Sequence, residues 1–153
     1  MKNILYISQL YHESLFGEYF ENSKAALDYA ANNLSRAILK GFRENYCKVD
    51  VLNAPVIGSY PLYYKKPFIS GIEEDGFESI SYCNLIYFKR AIIRRKVNSR
   101  ILNWCKQSRD NRILFFYSHT HISIIEKVKR HYPDVKVVVL IADLPEFMAT
   151  DNG

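Results

Sequence analysis

The chain has 153 residues, 48% of them apolar, which suits one domain with a real core and excludes a disordered chain. Its formal net charge of +5 is a modest basic excess. That favours an anionic partner, such as a membrane surface, nucleic acid or nucleotide, without choosing among them. Cys47, Cys83 and Cys105 are odd in number, far apart and form no CxxC pair. This argues against a disulfide framework or zinc site and fits a reduced cytoplasm.

Ile4-Leu5-Tyr6-Ile7 is a continuous apolar run and reads as a strand buried on both faces. It is too short for the apolar core of a signal peptide, and no stretch of the chain is apolar for long enough to span a bilayer. Residues 9–28 are rich in aromatic and polar side chains and show no regular pattern. From Tyr29, Ala30, Leu34, Ala37, Ile38 and Phe42 recur at helical spacing, with Asp28 or Ser23 available as cap and Gly41 near the end. Val49-Asp50-Val51-Leu52 reads as a second strand. Residues 55–67 form a loop by their proline and glycine content, yet carry Tyr60, Tyr63 and Tyr64. Residues 80–88 have strand character.

Residues 89–107 predict an amphipathic helix with Ile93, Val97, Ile101 and Trp104 on one stripe and Arg90, Arg94, Arg95, Lys96 and Arg100 over much of the rest. Ile113 to Tyr117 is the next strand. A short helix over 122–131 is stopped by Pro133, and residues 135–141 are the most strand-like run of all. Buried strands alternating with helices indicate an α/β domain with a mainly parallel sheet.

In such folds ligands bind beyond the carboxyl ends of the strands. Three segments there bear chemistry: residues 8–13, residues 118–121 and residues 142–148. A lone Gly17 after the first strand gives neither GxGxxG nor a Walker loop, so a dinucleotide site is not expected. On an extended segment His119 and His121 would face the same side and could share a metal ion. Alternatively one of them hydrogen-bonds a substrate, or the pair packs and caps at the rim. Asp143 could orient a hydroxyl or act as a base, or could simply cap the turn before Pro145. The basic helix is either a solvated face or a surface for anionic lipid heads, through Arg94, Arg95 and Lys96. No aromatic–basic signature for nucleic acid is present.

The order of these motifs resembles the N-terminal domain of bacterial family 4 glycosyltransferases of the GT-B fold, of the kind that build capsular or exopolysaccharides. The likeness runs over nearly the whole chain. It is carried by Ile7-Ser8-Gln9, by Asn32-Asn33-Leu34 through Lys40-Gly41-Phe42, and by residues 55–61 with Tyr63-Tyr64-Lys65. Its most specific piece is Ile141-Ala142-Asp143-Leu144-Pro145-Glu146-Phe147-Met148.

The resemblance implies a Rossmann-like three-layer domain that holds a saccharide or lipid-linked saccharide acceptor. The nucleotide-sugar donor would be bound mainly by a C-terminal domain absent from this chain, so the chain alone is expected to be inactive. Transfer would proceed with retention and without a metal or other cofactor. His119 or His121, with Asp143, would sit near the reacting sugar. Gln9, Gly17, Tyr60, Tyr63, Tyr64 and Glu146 would contact the acceptor or substrate. The Gly-Gly pair common in that family after the first strand is not found here. The expected setting is cytoplasmic, at the inner face of the membrane. A non-catalytic flavodoxin-like binding or regulatory domain is the alternative.

Overall fold

The computed structural model describes residues 1–45, 47–107 and 110–141. Strand β1, Asn3–Ser8, is buried over nearly its whole length and is flanked by strands on both sides. Side chains alternate across a strand, so β1 feeds two cores. Leu5 and Ile7 pack on one face of the sheet, and Ile4 and Tyr6 on the other.

Five further strands complete the main sheet: β2 (Lys48–Asn53), β4 (Ile72–Glu74), β5 (Phe77–Ser79), β7 (Arg112–Phe116) and β8 (Lys136–Val139). Their order across the sheet is β4-β5-β2-β1-β7-β8. All pairings are parallel except β4 with β5. Two very short strands, β3 (Phe68–Ile69) and β6 (Tyr82–Cys83), form a separate antiparallel pair.

Helices cover both faces. Helix α2, Tyr29–Glu44, starts where the Asp28 carboxylate accepts the Ala31 amide at 2.9 Å. It lays Ile38, Leu39 and Phe42 over Ile4, Tyr6 and Val51. The Tyr6 ring meets Phe42 and Phe115 edge-on, and its hydroxyl is hydrogen-bonded to Ser35 Oγ at 2.7 Å. Burial of this ring pushes the Tyr6 hydroxyl far above its ordinary pKa. On the opposite face, helix α3, Lys89–Lys106, inserts Val97, Ile101, Trp104 and Cys105; of the expected stripe Ile93 is only partly buried, and Cys105 is added. Each such aliphatic side chain contributes about 1.5–3 kcal/mol by leaving water. Helix α4, Ile125–His131, adds Val128 to the same core and ends before Pro133.

The structure departs from the sequence reading in three places. Residues 9–28 contain a helix, α1, Glu13–Asn22. Its apolar contacts come from Leu15, Phe16 and Tyr19, a short stripe masked by the aromatic and polar residues around it. The third parallel strand of the sheet is Phe77–Ser79 and not residues 80–88, and the unexpected Ile72–Glu74 pairs antiparallel beside it. Phe77 and Ser79 can bury beside β2, whereas Ile86, Tyr87 and Phe88 are turned out to solvent. Finally, residues 119–124 form a 3-10 turn ahead of α4, so the helix begins later than expected.

Candidate functional site

The carboxyl ends of the central strands are fixed by buried polar side chains. Ser8 Oγ donates to Asn53 Oδ1 at 2.9 Å. Asn53 Nδ2 donates to the Leu10 carbonyl at 2.9 Å and to Ser79 Oγ at 3.0 Å. One asparagine thus ties together the ends of β1, β2 and β5 with its polar atoms satisfied. The Tyr11 hydroxyl donates to the Val56 carbonyl at 3.0 Å and accepts the Asp28 amide at 3.2 Å, which holds the loop after β2 against the start of α2.

Above this layer lies a groove of about 1030 Å³. Gln9 enters it after β1, Ala54 to Val56 after β2, Thr120 and His121 after β7, and Lys89, Arg90 and Arg94 from the first turns of α3. Ile86 and Tyr87 add an apolar wall, Tyr87 being 90 % exposed. Among the described residues no acidic side chain lines it.

Within the groove, Gln9 Nε2 donates to Thr120 Oγ1 at 3.2 Å, bridging the ends of β1 and β7. Thr120 is held in turn by Ser118, whose Oγ lies 2.8 Å from Thr120 Oγ1 and caps the 3-10 turn. His121 is 5 % exposed, and burial pulls its pKa below the ordinary histidine value, so the ring is neutral near pH 7. Its Nδ1 is buried and has no hydrogen-bond partner among the described residues. Lys89 Nζ donates to the Ile57 carbonyl and lies 5.9 Å from the centre of the Tyr82 ring. Burial, with Arg90 alongside, pushes its pKa down to about 8.

The expected site residues are only partly brought together. Gln9 and His121 both line the groove, while His119 stands exposed. The two histidines do not share a side, because a 3-10 turn, unlike an extended strand, rotates alternate residues apart. Among the described residues no group of three or more His, Cys, Asp or Glu is arranged to hold a metal ion. Tyr60 is half-buried, Tyr63 is exposed, and Tyr64 is fully buried in the core with burial pushing its pKa up to about 12. Tyr64 therefore serves packing and presents no surface to a ligand. Gly17 sits exposed on α1, outside the groove lining. Asp143 and Glu146 lie outside the described residues.

Arg94, Arg95 and Lys96 do not form one patch. Successive helical residues point about 100° apart, so Arg94 faces the groove while Arg95 and Lys96 lie beside the hairpin of β4 and β5, near Glu73 and Glu78. On that side Arg100 pairs with Glu78 at 2.6 Å, and Lys96 Nζ donates to the Ser81 carbonyl at 2.6 Å. The sequence reading had Thr120 only within the segment 118–121 and Arg90 only on the basic face of the helix, and it did not single out Lys89 or Tyr87; all four line the groove. A signal existed for two of them: cations occupy the first turn of α3, where acidic residues are favoured, and no acid is present there.

Among the described residues no helix is long and apolar enough to cross a membrane. No family profile matches the chain, and neither the curated proteins nor the solved structures give a match.

Proposed function

We propose that this chain is the acceptor-side half of a two-domain glycosyltransferase, Rossmann-like in its sheet, with the groove as acceptor site. One observation carries the reading. Taken in chain order, the parallel strands run third, second, first, fourth, fifth across the sheet. This order reverses between β1 and β7, the switch point where open α/β sheets bind ligands. The bridge from Gln9 to Thr120 spans that point, and His121 follows it. A flavodoxin-like domain would set the first strand between the second and third, which speaks against the alternative.

In this reading the chemistry is displacement at an anomeric carbon, with a nucleotide diphosphate leaving. Gln9 and Thr120 offer amide and hydroxyl groups to sugar hydroxyls. His121, held neutral by burial, can accept or donate a hydrogen bond to the same sugar. Peripheral attachment to an anionic membrane is the second part of the proposal, supported by exposed Tyr87 and Phe88 beside Arg90.

The test is nuclear magnetic resonance of the labelled chain titrated with a panel of mono- and disaccharides and prenyl-diphosphate-linked sugars. Shifts confined to Gln9, Thr120 and His121, and lost in Gln9→Ala, support the reading. A panel that leaves those resonances unmoved overturns it.

A further inference from the structure

The positive charge of α3 is divided unequally. Arg95, Lys96 and Arg100 lie against the acidic hairpin of β4 and β5. Lys89, Arg90 and Arg94 face the groove, where no acidic side chain among the described residues meets them. Neither Arg90 nor Arg94 takes part in an ion pair among the described residues. Clustered like charges repel, and cations at a helix start oppose the helix dipole. The first turn of α3 also has no side-chain cap. Lys89 is anchored on the Ile57 carbonyl, but for Arg90 and Arg94, which make no ion pair among the described residues, a binding role explains the cation better than folding does.

A second observation comes from another element. His121 is 5 % exposed and lines the same groove with its Nδ1 unpartnered. Buried polar atoms left without partners are uncommon, and this one belongs to a side chain that borders the groove. Arg guanidinium groups suit phosphoryl oxygens because their paired N–H groups match the spacing. Ile86 and Tyr87 supply an apolar wall for whatever the phosphoryl group is attached to.

We infer that the groove contains a subsite for a phosphate or diphosphate ester, held by Arg90, Arg94 and Lys89 at the start of α3 and bordered by His121. This subsite does not depend on the sugar-transfer reading. The phosphoryl group could belong to a soluble ester or to a lipid headgroup, and the experiment separates the two.

The full chain is titrated with inorganic pyrophosphate by calorimetry at low and high salt. In parallel it is sedimented with phosphatidylcholine vesicles, with and without phosphatidylglycerol. Arg90→Gln/Arg94→Gln is expected to weaken pyrophosphate or anionic-vesicle binding at least tenfold. Arg95→Gln/Lys96→Gln, which removes the same charge from the hairpin side, should leave it within about twofold. Both pairs are exposed, and thermal melts check that each variant folds. Pyrophosphate binding identifies a soluble ester as sufficient, whereas binding to anionic vesicles alone identifies a lipid headgroup. Equal losses in the two double variants, or no binding in either arm, overturn the subsite. A positive pyrophosphate arm with a silent saccharide panel would keep the subsite and remove the sugar-transfer reading.

Discussion

His121 gives the fold a pH dependence of definite sign. Its folded pKa is depressed by burial, so on acidification the unfolded chain takes up a proton before the folded chain does. The contribution of neutral His121 is fully present above the unfolded value, about 6.5, and is lost as pH falls below it. Urea midpoints measured from pH 8 down to 5 should fall for the natural chain. In His121→Asn the slope due to this residue should vanish. Asn53 is the second residue whose chemistry matters locally. Its amide makes three hydrogen bonds in a fully buried setting, to Ser8, Leu10 and Ser79. Asn53→Ala leaves their polar atoms unpaired and is expected to cost about 3 kcal/mol in urea unfolding.

Helix α3 does two jobs on two faces. Its inner stripe closes the core with Val97, Ile101 and Trp104, and its first turns supply the cations of the groove. The two roles should separate by mutation. Ile101→Ala opens a cavity at a fully buried position and is expected to lower stability by about 2–5 kcal/mol. Arg94→Gln, on an exposed position without an ion pair among the described residues, should change stability by less than about 0.5 kcal/mol. Chemical denaturation of both variants checks this. The Trp104 indole donates to Asp50 Oδ2 at 2.7 Å, which ties the far end of α3 to β2, while Lys89 Nζ anchors the groove end on the Ile57 carbonyl.

At the scale of the molecule, stability is concentrated around the centre of the sheet. Strands β1, β2 and β7 are hydrogen-bonded along four or more paired positions, whereas β3 with β6 pairs at two. Amide hydrogen exchange should therefore be slowest in β1, β2 and β7 and fast in β3 and β6. If β3 and β6 exchanged as slowly as β1, this division between a rigid centre and a lighter periphery would be wrong.

The fold class was legible in the sequence because its strongest signals are local. The runs at Ile4 to Ile7 and Ile113 to Tyr117, the Asp28 cap and the stripe of α3 each reflect a period or a turn preference that the chain carries by itself. Helix α1 was hidden because its contacts are a few aromatics within a mixed background. The third parallel strand was misplaced because residues 85–88 have strand propensity but no place in the main sheet, while Phe77–Ser79 gains its place by pairing with β2 and β4. The groove depended still more on tertiary structure. Gln9 and Thr120 are far apart in sequence and meet only because β1 and β7 are neighbours. Whether Arg94 and Arg95 serve one surface or two, and whether Tyr64 faces a ligand or the core, was decided by packing. Composition fixed how much charge and aromatic surface the chain carries; the reversal of strand order between β1 and β7 decided which residues face the groove.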